Sequence, residues 1–237
     1  ETRWRMLNKG GKTWWVWCIG RHDAVYYRIE PSRGHEVVVS MLDDFRGVLM
    51  VDDYVAYKTA KKLLPGMVIV LCWSHVRRGF IEALDAYPEC QYALDLIGEL
   101  FAIERELPDW QVIKDPRLRE AAFAKITEIR SEQSKATTDA LLKWASEQRG
   151  LPGSKLREAI AYMTSNWEGL THFQTEPRAP LSNNPAVTRP SRAATVQTRA
   201  ASPLIKGGPQ GGRHGSDTTN PPPLKCDVER RLEREYH

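Results

Sequence analysis

The sequence predicts a mixed α/β fold with a mainly helical second half and a disordered C-terminal tail. Two continuous apolar runs, at residues 47–51 and 67–73, are typical of strands buried on both faces. A helical pattern over residues 54–64 lies between them, so the three elements form a βαβ unit. Apolar spacings of three and four then run through residues 75–173 and predict helices. The tail beyond residue 173 has no such periodicity.

The first stretch, residues 1–75, alternates strand and turn signals. Its strand segments are rich in β-branched and aromatic residues, and its turns are short and polar. The βαβ helix stops at Pro65-Gly66. The elements before that unit are strands over 14–20 and 24–30, joined as a hairpin by 21–23, and a short helix over 35–44 after a turn cluster at 31–35.

Four helices are predicted for the second stretch. Pro108 and Pro152-Gly153 interrupt the apolar spacing, and Ser154 is a candidate N-cap for the last helix. The predicted helices span residues 76–85, 89–107, 116–149 and 155–173.

The tail differs sharply from the rest of the chain. It holds nine of the 15 prolines, and no aromatic residue occurs between Phe173 and Tyr236. Glycine and proline clusters of this kind cannot build a core, so the tail is predicted to be disordered. We predict one domain over residues 1–186 and a disordered tail over 187–237.

Composition excludes several classes of protein. The chain has 237 residues and a net charge of +4, but residues 174–237 carry ten Lys/Arg and six Asp/Glu, which leaves 24 of each sign for residues 1–173. The basic excess lies in the tail, so charge does not indicate nucleic-acid binding. No run of about 18 apolar residues exists, which excludes an apolar membrane-spanning helix. Four scattered cysteines favour a reduced, cytoplasmic setting, and the start at Glu1 is typical of the interior of a longer protein.

Asp52 and Asp53 are the strongest local candidates for chemistry, because they follow a buried apolar strand. Carboxylates at strand ends of α/β folds stand where ligands bind, and they suit Mg²⁺. The alternative is that one of them caps the following helix, and the residues alone favour the cap.

The segment from Cys72 to Arg78 is a second candidate. Cys72 and His75 have the spacing of half a zinc site, but no second pair follows, so Cys72 is interpreted as a buried strand residue. His75, Arg77 and Arg78 lie at a helix start and either face phosphates or form a solvated basic turn.

Two further groups of residues favour ordinary structural roles. The aromatic residues between Trp14 and Tyr27 occupy alternate strand positions, which favours packing over a stacking platform for nucleic acid. Lys58, Lys61 and Lys62 are most simply the solvated face of a short helix.

Four motifs in order resemble the DDE transposases of the insertion-sequence 66 family. Val51-Asp52-Asp53-Tyr54-Val55-Ala56-Tyr57 is similar to Asp-Gly-Tyr-Ala-x-Tyr, and the segment from Cys72 to Phe80 is similar to Cys-Trp-Ala-His-x-Arg-Arg-Lys-Phe. Glu1-Thr2-Arg3-Trp4 resembles Asp-Glu-Thr-Gly-Trp without its Asp. Pro180-Leu181-Ser182-Asn183-Asn184 resembles Pro-Leu-Asp-Asn-Asn, which the family follows with x-x-Glu-Arg.

The resemblance implies a ribonuclease-H-like mixed sheet and a site in which three carboxylates hold two Mg²⁺ ions for DNA strand cleavage and transfer. Asp52 matches the second carboxylate and is the predicted catalytic residue and metal ligand. The family's first carboxylate corresponds to the residue before Glu1, and its third carboxylate corresponds to Val187. The implied partner is DNA at insertion-sequence ends, together with a second copy of the chain or other transposition proteins. The candidate DNA contacts are His75, Arg77, Arg78, Asn183 and Asn184.

The codons around position 187 suggest why the family's Glu is absent there. Residues 187–191 can be encoded so that removing one base gives Glu-Arg-Ala-Leu, which continues the family pattern. We hypothesise a one-base insertion at codon 187, with the tail translated out of frame. A polypeptide with one of three metal-binding carboxylates is predicted to be inactive. The alternatives are a non-catalytic DNA-binding remnant that modulates an intact transposase, and a helical interaction module over residues 89–173.

Overall fold

The structure, a computed structural model, describes residues 1–6, 11–21, 24–183 and 194–198. The chain divides into two compact units. One comprises Glu1–Pro31 with Ala186–His237, and the other comprises Ser32–Pro185.

The described strands and helices include every predicted element, together with strands at Thr2–Met6 and Ala194–Thr198, which were not predicted. The strands are β1 (Thr2–Met6), β2 (Lys12–Gly20), β3 (Val25–Glu30), β4 (Gly47–Val51), β5 (Met67–Leu71) and β6 (Ala194–Thr198). The helices are α1 (His35–Leu42), α2 (Val55–Leu63), α3 (Trp73–Leu84), α4 (Cys90–Glu106), α5 (Pro116–Ile129), α6 (Lys135–Glu147), α7 (Lys155–Ser165) and α8 (Trp167–Thr171).

The first unit contains a four-stranded sheet in the order β1-β2-β3-β6. Strands β1, β2 and β3 pair antiparallel, which confirms the predicted hairpin, although residues 22–23 of its turn lie outside the described residues. Val16, Trp17 and Val25 are buried, and because Val16 and Trp17 are consecutive, both faces of β2 are covered at this point. Arg28 and Glu30 are buried as well, and their side chains form an ion pair of 2.6 Å.

Strand β6 lies within the tail for which the sequence predicts disorder. It pairs in parallel with β3, with Val25 opposite Ala194 and Ile29 opposite Thr198. Its Ala-Thr-Val-Gln-Thr sequence has the β-branched residues that fit a pleated surface. The remainder of residues 187–237, including Val187, lies outside the described residues.

The second unit is built on the predicted βαβ unit. Strands β4 and β5 pair in parallel, from Gly47 opposite Met67 to Val51 opposite Leu71, and α2 connects them. Strand β5 ends at Leu71, two residues earlier than predicted, because Trp73 belongs to α3 and to the core. Its indole N–H donates to the Leu170 carbonyl at 2.8 Å, and its backbone N–H donates to the Leu181 carbonyl at 3.1 Å.

The helices pack around a core that includes side chains from α3, α4, α6, α7 and α8. The predicted helix over 116–149 is three segments, since a π-helical turn at Arg130–Ser134 joins α5 to α6. Arg130 is buried at that turn, where it pairs with Glu104 at 2.7 Å and donates to the carbonyls of Phe173, Glu176 and Ala179. The fully buried large side chains of this core include Trp73, Phe80, Ile97, Leu141, Met163 and Phe173.

The molecule is therefore a mixed α/β protein whose second half is mainly helical, as predicted. The ribonuclease-H-like arrangement and the boundary at residue 186 remain predictions. In the part of the chain that the structure describes, no helix is long and apolar enough to cross a membrane.

Candidate functional site

The turn between β4 and α2 carries Asp52, Asp53 and Tyr54. Helix α2 takes Tyr54 as its N-cap residue and has no side-chain cap, so the capping alternative does not describe either aspartate. Asp52 Oδ1 instead accepts a hydrogen bond from the Tyr54 N–H at 3.3 Å, which tightens the turn. Asp52 thus stands at the carboxyl end of β4, beside the carboxyl end of the parallel strand β5.

An open cleft of about 540 Å³ begins at this turn. Its other walls are one face of α3 and one face of α7. The lining residues of each helix are spaced i, i+3, i+4 and i+7, as expected of a single helix face. The cleft brings together the two segments that the sequence singled out separately. Its lining is Asp52, Asp53 and Tyr54 from the turn, His75, Arg78, Gly79 and Glu82 from α3, and Lys155, Glu158, Ala159 and Tyr162 from α7.

Small residues set the spacing between the two helical walls. A Cβ atom on Gly79 would lie 3.3 Å from the Cβ of Ala159, which is tighter than ordinary van der Waals contact. The absence of a side chain at Gly79 therefore lets α3 and α7 meet closely at the floor of the cleft.

Asp53 is tied to residues from two other parts of the fold. Its Oδ1 atom forms an ion pair with Lys58 Nζ from α2, and its Oδ2 atom accepts a hydrogen bond from Asn166 Nδ2 at 2.8 Å. Asn166 Oδ1 in turn accepts from Lys58 Nζ at 3.4 Å. Lys58, predicted as part of a solvated face, is half exposed and also forms these contacts.

The surroundings of Tyr162 in the cleft change the pKa of its phenol. Burial raises the pKa of its phenol well above the ordinary value, and the neighbouring charges of Asp53 and Asp52 raise it further. The phenol is accordingly neutral at physiological pH and remains a hydrogen-bond donor.

Cys72 is buried, as the sequence predicts, but it is the N-cap residue of α3 and not part of the strand. Its thiol donates to Asn183 Oδ1 at 3.2 Å. Burial alone would raise the pKa of the thiol, but the polar contacts with His75, Asn183 and the Ser74 backbone outweigh burial and lower it.

The predicted site residues fall into three groups. Asp52, His75 and Arg78 line the cleft, whereas Arg77 is exposed on α3 outside that lining. Asn183 lies against Cys72 rather than in the lining. Asn184 lies outside the described residues.

Sequence reasoning missed the wall that α7 contributes. Lys155, Glu158, Ala159 and Tyr162 have the spacing of one helix face, but so do the residues of any amphipathic helix, and nothing in that pattern points to a cleft. Asn166 gave no signal at all, because its partners are 108 and 113 residues away.

The residues present do not by themselves fit the two-magnesium centre that the resemblance implies. Among the described residues, no group of three or more His, Cys, Asp or Glu side chains is placed to hold a metal ion. Asp52 offers a carboxylate, but Asp53 already bonds to Lys58 and Asn166. Magnesium binding by this chain stays a prediction.

Comparisons with known proteins agree with the motifs. The model of the Transposase IS66 family matches residues 1–202. Uncharacterized protein y4qI of Sinorhizobium fredii (strain NBRC 101917 / NGR234) is 34% identical over 216 residues, which cover 84% of this chain and 38% of the relative. Uncharacterized protein y4jD of the same strain is 29% identical over 196 residues, covering 80% of this chain and 36% of the relative. The chain thus spans well under half the length of these relatives. No solved structure matches it.

Proposed function

Because this chain belongs to the Transposase IS66 family, we propose that it is the core segment of a DNA-cutting and DNA-joining protein and that DNA binds at the cleft beside Asp52. One observation supports the location. The cleft brings Asp52 from one motif of the family resemblance together with His75 and Arg78 from another. The His75 imidazole and the Arg78 guanidinium are groups that can donate hydrogen bonds to a phosphodiester.

The charges around the cleft indicate how DNA approaches it. Its lining holds four carboxylates and two cations, Arg78 and Lys155, so the lining as a whole repels phosphates, whereas Arg77 is exposed on α3 outside it. Phosphate contacts supply most of the non-specific affinity for DNA. We therefore place the DNA backbone along the arginine-bearing edge of α3, where Arg77 and Arg78 follow each other.

The polypeptide is proposed to bind DNA without cutting it. The family resemblance places the third carboxylate at position 187, where this chain has valine, and an isopropyl group cannot replace a carboxylate in charge or in hydrogen bonding. The same observation favours a regulatory role, in which the chain occupies DNA ends that an intact transposase would otherwise use.

The salt dependence of DNA binding tests the proposed docking edge. A labelled duplex carrying an insertion-sequence end is titrated with protein at several salt concentrations, and the logarithm of the association constant is plotted against the logarithm of salt. Replacing Arg77 with alanine should weaken binding and make the slope shallower by about 0.9, the effect of one lost phosphate contact.

Lys125→Ala is the matched control. Lys125 is an exposed cation paired with Glu128 on α5, away from the cleft lining, so its removal should leave the slope unchanged. If Arg77→Ala and wild type have the same slope, or if Lys125→Ala lowers the slope equally, DNA does not dock on this edge.

A further inference from the structure

Three polar side chains meet where the β4–α2 turn touches the end of α7. Asp53 comes from the turn, Lys58 from the first half of α2, and Asn166 from the junction between α7 and α8. Each of the three contacts the other two, so the group closes into a ring. We call these three residues the Asp53 ring.

Asn166 is the member that gives the ring its geometry. It is only 5% exposed, and both polar atoms of its side chain are used, one as donor to Asp53 and one as acceptor from Lys58. Its backbone also holds the helix junction, because its N–H donates to the Met163 carbonyl and its carbonyl accepts from the Leu170 N–H. A buried amide satisfied on both sides fixes the distance between the elements that it joins.

The ring lies beside two residues of the cleft lining, Asp52 and Tyr162. Asp52 precedes Asp53 directly in the turn, and Tyr162 lies one helical turn before Asn166 on α7. Tyr54 anchors the other side of the turn, since its hydroxyl donates to the Arg33 carbonyl at 3.1 Å and its ring packs under the Arg33 guanidinium at 3.8 Å. Because the two residues that follow Asp52, namely Asp53 and Tyr54, are both anchored, the Asp52 carboxylate remains in the cleft lining.

We infer that the Asp53 ring is a positioning device, with Asn166 as its central residue, which holds Asp52 and Tyr162 at a fixed separation across the cleft. Asp53 is then an anchor and not a second catalytic carboxylate. The importance of this separation for DNA rests on the proposed function, but the positioning itself does not.

The test follows the Tyr162 ring by NMR in protein labelled with ¹³C at tyrosine, with its signal assigned from a Tyr162→Phe variant. Asn166→Asp keeps the size of the side chain but places a carboxylate against that of Asp53. At neutral pH the two charges repel, so the Tyr162 signal should shift and the pKa of its phenol should change. As the pH is lowered, the repulsion makes the two carboxyl groups take up a shared proton above about pH 4, the ordinary range of aspartate. One carboxyl group then donates to the other again, so the signal should return toward the wild-type position.

Asn166→Ala should shift the signal at every pH, because it has no group that protonation can restore. Lys61→Ala is the matched control, since Lys61 is an exposed lysine on α2 outside the ring. Its Tyr162 signal should coincide with that of wild type.

One result would overturn the inference. If both Asn166 variants lower the melting temperature but leave the Tyr162 signal and its titration unchanged, Asn166 stabilises the fold without positioning the cleft. No DNA is present in this experiment, so a failure of DNA binding would contradict the proposed function and leave the positioning inference standing.

Discussion

At the scale of single residues, two adjacent aspartates have different surroundings. Both line the cleft, but they have different hydrogen-bond partners. Asp53 bonds to Lys58 and Asn166, whereas Asp52 accepts a hydrogen bond within its own turn. The family resemblance predicts Asp52 as a site residue from the sequence, and this stays a prediction. The partners of Asp53 could not be foreseen, because the contact with Asn166 is set by tertiary packing.

Tyr162 gives a prediction about pH. Its pKa is raised in the folded protein, so the neutral phenol is favoured by folding. The stabilisation is fully present below about pH 10, the ordinary pKa of tyrosine, and is lost as pH rises above it, because the unfolded chain then releases its proton first. Tyr162→Phe should therefore lose less unfolding free energy than wild type between neutral and strongly alkaline pH.

Urea unfolding across that pH range measures the difference. Tyr92→Phe is the control, since Tyr92 is 50% exposed and lies outside the cleft lining. It should follow the wild-type curve. An identical alkaline decline in Tyr162→Phe and wild type would contradict the raised pKa of the Tyr162 phenol.

At the scale of elements, the α3–α7 contact forms the floor of the cleft. Gly79 meets Ala159 there, and the lining continues with His75, Arg78 and Glu82 on α3 and with Lys155, Glu158 and Tyr162 on α7. Changing the helix spacing should therefore alter the cleft as well as the stability.

Gly79→Val tests this contact. A branched side chain at Gly79 must displace Ala159, so we expect a loss of about 1–3 kcal/mol in unfolding free energy, as for other overpacked sites. Gly98→Ala on α4 is the matched control, because an added Cβ there meets nothing within 4 Å. That change should stabilise the protein by about 0.5–1 kcal/mol through helix propensity. Urea denaturation measures both, and equal stability of Gly79→Val and wild type would contradict the close contact.

Local sequence patterns predicted most elements because those elements depend on local signals. Residues 47–51 and 67–71 form parallel strands, and Ser154 caps α7 by accepting from the Arg157 N–H, as expected. The predicted element boundaries were wrong where contacts with residues distant in the sequence determine the local structure. Trp73 leaves the predicted strand because its indole bonds to Leu170, and the long predicted helix contains a π turn where Arg130 pairs with Glu104.

At the scale of the whole molecule, charge and family membership lead to different expectations. Residues 1–173 carry 24 charges of each sign, so the charge of this part gives no general attraction to DNA. The family match, over residues 1–202, extends past the predicted boundary at 186 and into the segment that contains β6. DNA binding is therefore expected to depend on local groups such as Arg77, and the proposed loss of cleavage depends on Val187.

A strand-cleavage assay tests the central claim most directly. The full chain and its Asp52→Ala variant are incubated with Mg²⁺ and labelled duplexes carrying insertion-sequence ends, alongside an intact transposase of the family acting on its own ends. We expect both forms of this chain to leave the DNA uncut under conditions in which the intact transposase cleaves it. Mg²⁺-dependent cleavage by the wild-type chain that is lost in Asp52→Ala would contradict the claim that this polypeptide binds DNA without cutting it.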